Sequence, residues 1–431
     1  MVLVAFLLRL LWILTKREYA ITDRYWSGFE MANLARSLVE GHGFASPWGG
    51  ATGPSAWTAP IYPWLIALTF QIFGVFSHGA ALALLTLNSI FAALTCWTLY
   101  RIGRRVFGET VAVCTGWLWA LHPASIYFSV LWIWETSLSA FLLSLVFLVT
   151  LEMAEDDRLL SWLGYGVLWA AAGLTNPAML AWLPFSGCWL AYRLHRRGKR
   201  FLAPVLLGAF SFWIALMPWE VRNYMVFHQP ILIRSDFGVE LRGGNNSYSD
   251  GLWVRSYHPG NNRVLFAQYK SMGEVPFVSL QGRMARQWIM ENPGEFLRLT
   301  CRRVVYFWTL ILEIIPTHTN MLIRGMVSLL SFAGLWLALR QRLQGLCSQY
   351  TLSVSLCYLR IGEIEFRMHS LEFLQRLVYM SGEKDGLSMR TDQPPFSLIR
   401  PKWVFPFANA VGERQVQYNR VDSLVAGYRT A

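Results

Sequence analysis

Three acidic residues, Asp23, Glu30 and Glu135, stand close to long apolar runs. A carboxylate in such a place can take the proton from a hydroxyl as that hydroxyl attacks an electrophile. Cations occupy comparable boundaries: Arg222 near Trp219, His122 in Leu121-His-Pro123, and the pair Arg302-Arg303. A guanidinium presents a planar fork that matches phosphate oxygens. Asn176 and Asn245 add amides able to bind a substrate's hydroxyls. The acids and His122 could also hold a divalent ion, although no spacing demands one and none of the six cysteines has metal-ligand spacing.

Each of these residues also has a plainer use. Ser27-Gly-Phe-Glu30 has capping-box spacing, so Glu30 could cap its own helix. Asp23 could be a solvated loop acid, and Glu135 could reach the membrane interface from the end of its run. Arg222 could anchor a helix end beside Trp219, and His122 and Asn176 are residue types common at helix ends. Arg302 and Arg303 could meet anionic headgroups instead of a bound phosphate. Asn245-Asn-Ser247 forms a glycosylation sequon, but reads more simply as turn chemistry.

The elements that must hold these residues are membrane helices. Of the residues, 54% are hydrophobic and 15% charged, against about 25% charged in soluble domains. Apolar runs near 1–21, 80–99, 109–128, 134–152, 161–176, 178–193, 203–218 and 321–340 approach the roughly 17–25 residues a span requires. The segment 346–360 is a further candidate. In lipid the backbone must satisfy itself, so the runs are helices. The net charge of +12 lies largely in short loops, Arg101 to Arg105 and Arg193 to Arg200, which is the positive-inside pattern and needs no nucleic acid to explain it.

These two basic loops are separated by four spans and share a side, taken as cytoplasmic. The loops 16–79 and 219–320 then lie outside, together with Glu30, His122, Glu135, Asn176 and Arg222. Residues 60–74 are too short to cross, carry two prolines and end on glycine, which predicts an interfacial helix; residues 304–315 read the same way. A helix is expected over 28–40, closed by Gly41. The first span begins at Met1 with no basic flank, the pattern expected if the natural start lies further upstream. From 341 the composition turns polar, as a truncated or frameshifted tail would.

An ordered series of short motifs runs through the chain. It comprises Glu30-Met-Ala-Asn-Leu-Ala-Arg-Ser-Leu-Val-Glu-Gly-His-Gly-Phe44, Thr52-Gly-Pro-Ser-Ala-Trp-Thr-Ala-Pro-Ile-Tyr-Pro63, Leu121-His-Pro123 and Trp134-Glu-Thr-Ser-Leu138. Leu174-Thr-Asn-Pro177, Pro218-Trp-Glu-Val-Arg-Asn223, Gly243-Gly-Asn-Asn246 and Asn292-Pro-Gly-Glu-Phe296 follow, then Arg302-Arg303. Over roughly 5–340 the series resembles glycosyltransferase family 39-like bacterial membrane proteins, relatives of dolichyl-phosphate-mannose protein mannosyltransferases and of the lipid A aminoarabinose transferase. Many relatives carry an adjacent Asp-Glu pair where this chain has Asp23 and, further on, Glu30. Their late Tyr-Arg-x-x-Pro-like motif is only echoed here by Glu365-Phe-Arg-Met-His369.

The resemblance implies an all-α polytopic membrane protein: a GT-C-type helix bundle with interfacial helices and an extracytoplasmic loop region, occupying 1–340. It implies transfer of a hexose from a polyprenyl-phosphate lipid to a hydroxyl of a glycan, lipid or protein, with inversion, at the outer face of a bacterial inner membrane. Glu30, with Asp23 and Glu135, would supply the acids. Arg222, His122, Arg302 and Arg303 would face the donor phosphate, and Asn176 and Asn245 the substrate. Two rivals remain at this point: a transporter or flippase, whose charges would line a path, and a catalytically decayed paralogue.

Overall fold

The computed structural model describes residues 1–20, 29–156, 158–309 and 333. Asp23, Ser27, the segment 346–360 and the tail from 341 lie outside the described residues, and of the span expected at 321–340 only residue 333 is described. Fourteen α-helices and no strand occur among the described residues; a lone antiparallel bridge joins Ala45 to Pro54.

The bundle consists of α1 (Val2–Lys16), α4 (His78–Phe107), α5 (Glu109–Leu121), α6 (Pro123–Leu131), α7 (Thr136–Met153), α8 (Leu159–Thr175), α9 (Leu183–Arg196) and α10 (Leu202–Phe227). Three of these, α4, α7 and α10, are long and apolar enough by themselves to cross a membrane. Leu206, Phe210, Trp213 and Met217 form an exposed apolar stripe at helical spacing along α10, as a lipid-facing surface requires. On its inner face α10 meets α8 closely. A Cβ on Gly166 would lie 2.1 Å from the Gly208 carbonyl oxygen, so only glycine permits this approach.

Three expected spans are corrected in detail. The run 109–128 is not one helix, because it breaks at His122-Pro123 into α5 and α6. Pro123 has no N–H to give back to the preceding turn, and His122 Nδ1 instead accepts from the Ser125 amide at 3.3 Å. The run 178–193 likewise divides into a 3-10 turn over Pro177–Trp182 followed by α9. The run 203–218 does not stop at Pro218, for α10 carries the proline inside and continues to Phe227.

The break in the third run is filled from α1. Arg9, fully buried, donates to the Ala120 carbonyl at 3.1 Å, to Ser125 Oγ at 2.9 Å, to Ser129 Oγ at 3.0 Å and to Ala5 O at 2.9 Å. A guanidinium in a bundle interior is tolerated only with such complete pairing. This buried charge is thus part of the helix packing.

At one end of the bundle the basic loops meet. Arg101 pairs with Glu152 at 3.1 Å, Arg105 pairs with Glu155, and Arg197 donates to the Ala154 carbonyl at 2.7 Å. The opposite end carries the two regions expected from sequence to lie outside, here termed outer. The first contains α2 (Phe29–Val39) and α3 (Ile61–Phe73). Tyr62, Ile66 and Phe70 of α3 are buried, while Trp64, Leu68 and Ile72 stay exposed, the two-faced character expected of an interfacial helix. The second contains α11 (Phe237–Gly244), α12 (Arg263–Met272), α13 (Glu274–Glu291) and α14 (Pro293–Thr309). Residues 304–309 thus continue a helix begun at Pro293 and are not a separate short one; 310–315 lie outside the described residues. A small core of Trp48, Trp57, Val239, Tyr269 and Phe277 joins the two regions.

Candidate functional site

A cavity of about 540 Å³ opens at the end of the bundle away from the basic loops, within the range of small-molecule sites. Its walls come from separate elements: Glu30 at the head of α2, Trp57 and Thr58 from the loop before α3, and Glu135 preceding α7. Pro177 and Leu180 follow α8, residues 232–240 follow α10, and Trp253 and His258 lie further along the second outer region. Glu30, Glu135, Asp236 and Glu240 supply four carboxylates; Arg234 and His258 are the basic groups beside them.

Glu30 is 7% exposed, and its Oε1 lies 3.7 Å from His258 Nε2. His258 Nδ1 accepts from the Gly260 amide at 3.2 Å. That bond assigns the lone pair of the neutral ring to Nδ1 and its proton to Nε2, the nitrogen facing Glu30. The rings of Trp48, Trp57 and Trp253 stand edge-on around the imidazole at 4.6, 5.7 and 5.3 Å. Gly243 makes room for this arrangement, because the Trp253 indole nitrogen would lie 2.1 Å from a Cβ there. The motif Gly243-Gly-Asn-Asn246 therefore shapes the wall by letting a tryptophan approach bare backbone.

Glu135 is 2% exposed at the start of α7, and its carbonyl accepts from the Ser139 amide at 2.7 Å. Asp236 is buried and ion-paired with Arg234; burial lifts its carboxyl above the ordinary range against the pull of that guanidinium. Arg234 also donates through Nε to the Trp57 carbonyl at 3.2 Å, which ties the second outer region to the first. Acids from separate elements, a histidine facing one of them, an arginine and several tryptophans can together bind a polar ring and withdraw a proton from it.

Several sequence candidates stand elsewhere. Arg222 does not line the cavity. It lies within α10 rather than beyond its end, and donates to Ser55 O at 2.7 Å, Phe44 O at 2.8 Å and Asn223 Oδ1 at 2.9 Å. The rings of Trp219, Phe44 and Phe227 lie at 5.0, 5.6 and 5.7 Å from its guanidinium. His122 caps α6, within stacking reach of Trp119. Asn176 is buried and accepts from the Ala178 amide at 3.0 Å, its neighbour Pro177 forming part of the wall. Arg303 donates to Asn245 Oδ1 at 3.1 Å and Gly251 O at 3.2 Å, and so closes the 244–251 turn, while Arg302 is exposed. Among the described residues no group of three or more His, Cys, Asp or Glu is placed to hold a metal ion.

Arg234, Asp236, Glu240 and His258 were missed from sequence. The first three sit in Ile231-Leu-Ile-Arg-Ser-Asp236 and just after it, where an apolar stretch turns abruptly charged on the outer side. That switch was an available signal. His258, a lone histidine before Pro259, gave none.

No curated protein and no solved structure matches the chain. Residues 57–219, which run from the cavity wall at Trp57 through α10 as far as Trp219, match the family model described as dolichyl-phosphate-mannose-protein mannosyltransferase. The resemblance read from the ordered motifs is thereby borne out over that stretch: this is an all-α integral membrane protein similar to the mannosyltransferase-like membrane glycosyltransferases.

Proposed function

We propose that the cavity receives the sugar-phosphate head of a polyprenyl-phosphate hexose and transfers the hexose to an acceptor hydroxyl. Glu30 takes the hydroxyl proton as the oxygen bonds to the anomeric carbon, and the bond from that carbon to the phosphate oxygen breaks on the opposite face. The products are an inverted glycoside and the free lipid phosphate. His258, with its proton toward Glu30, holds that carboxylate in place. Glu135, which also lines the cavity, orients donor or acceptor hydroxyls. Arg234, which reaches the cavity where Arg222 does not, is the cation for the departing phosphate. Asp23, at the head of the same first loop, is a second acid for this work.

The observation that carries this reading is the gathering of Glu30 and Glu135, from separate elements, in one buried mouth at the end of the bundle opposite the basic loops. Under the positive-inside rule that mouth faces the exterior, for a bacterial chain the periplasmic side of the inner membrane. A lipid-anchored donor is then available where a soluble nucleotide sugar is not, and residues 1–340 form the transferase region. The test is label transfer from radiolabelled polyprenyl-phosphate hexose in membranes, comparing the protein with Glu30→Gln. Transfer that disappears at unchanged protein level supports the assignment; equal transfer by both returns Glu30 to helix capping.

A further inference from the structure

Glu274 takes no part in the chemistry above, yet it is a buried carboxylate with hydrogen bonds from two separate outer loops. It is 3% exposed and begins α13. Its Oε2 accepts from Ser55 Oγ at 2.6 Å and from the Tyr269 hydroxyl at 2.8 Å. Its Oε1 accepts from the Ala56 amide at 2.6 Å and from Ser235 Oγ at 2.7 Å. A carboxylate is costly to bury, and only such complete pairing makes it tolerable.

The chain neighbours of these donors matter most. Trp57 and Thr58 follow Ala56 directly, and Arg234 and Asp236 flank Ser235; all four line the cavity. The Ser235 amide also donates to the Ala56 carbonyl at 2.9 Å, so the two loops run side by side at this point. From the other side Arg222 takes the Ser55 carbonyl. Ser55 is thus gripped by α10 through its backbone and by α13 through its side chain.

We propose that Glu274 is a positioning residue for the cavity, its carboxylate fastening the first outer loop to the second and setting the spacing between the Trp57–Thr58 wall and the Arg234–Asp236 wall. The proposal rests on the reading of this cavity as the glycosyl-transfer site. It acts through Arg234, the donor-phosphate cation, and through the tryptophan wall, so it bears on substrate binding more than on proton transfer.

The test uses the full chain in detergent, with hydrogen exchange and donor kinetics measured together. In Glu274→Ala, amide exchange over 52–58 and over 232–240 rises in concert, and the KM for polyprenyl-phosphate hexose rises about tenfold with a smaller change in kcat, the scale expected for a slight misplacement of binding groups. Glu274→Gln, which retains an acceptor, recovers part of both effects. Should Glu274→Ala fail to accumulate, Ser235→Ala removes a single bond and is expected to loosen the same two segments. Exchange that rises only within α12 and α13, or loosened loops with an unchanged KM, would overturn the proposal. An inactive wild type whose two loops still loosen together in the variant would sink the transferase reading and leave the fastening role standing.

Discussion

The two ends of the bundle use charge in opposite ways. At the basic end, Arg101, Arg105, Glu152 and Glu155 pair in the open, with side chains between about a third and just over half exposed. At the cavity end, Glu30, Glu135, Asp236 and Glu274 are all less than a tenth exposed. Exposed pairs carry little energy and serve to set orientation in the bilayer. Buried acids lose their hydration and persist where packing or chemistry holds them. Residue type and nearness to an apolar run are the same at both ends, and burial is what distinguishes them.

The largest contrast should come from matched acid-to-amide changes. Glu30→Gln is expected to lower label transfer by about 10²–10⁴-fold, whereas Glu152→Gln leaves it within about twofold; comparable losses from both would erase the distinction between the ends. Next in size is Arg222→Ala, which leaves the Ser55 and Phe44 carbonyls without their charged donor. It should destabilise the protein by about 2–3 kcal/mol, read as a lowered midpoint of thermal unfolding in detergent. Arg234→Lys, which keeps a positive charge beside buried Asp236 but loses the guanidinium fork, should by contrast raise the donor KM with a smaller change in that midpoint, and the reverse pattern would return the phosphate to Arg222.

Smaller still is a pH effect at Glu274. Burial lifts its carboxyl above the ordinary 4.5, so the folded protein binds more protons than the unfolded chain once pH exceeds that value. Stability should therefore fall as pH rises from about 4.5 through the folded-state pKa, and Glu274→Gln should flatten this dependence in unfolding measured across that range. The smallest effect belongs to the basic end: Arg105→Ala should cost less than about 1 kcal/mol, and less again in high salt.

Much of the scaffold was legible because lipid imposes a length and a polarity on every crossing. The long apolar helices α4, α7 and α10 and the helix from Phe29 to Val39 all stand where the sequence placed them. Helix interruptions were harder to see. Pro123 breaks a run, where Arg9 takes the Ala120 carbonyl, whereas Pro218 is carried inside α10. Of the site, Glu30 and Glu135 were accessible through position and through the family's motifs. Arg234, Asp236 and His258 come from irregular segments without periodicity, and their partner Trp57 is far away in sequence. Arg222 was read by its chemistry, its place near a span end and its motif, none of which reveals that backbone carbonyls reach it.

The pairing of Arg9 also bears on the order of assembly. The first helix leaves the ribosome before Ser125 and Ser129 exist, so for a time it carries a guanidinium with no place in lipid. Insertion of a central arginine costs about 2.5–3.5 kcal/mol on translocon scales, enough to keep the helix in exchange with water until the broken pair α5 and α6 emerges. The first helix would then be held at the insertion machinery and released laterally with its partners. A nascent chain cut before Pro123 should leave a cysteine at Ala5→Cys open to a water-soluble maleimide, and one extended past Leu131 should close it.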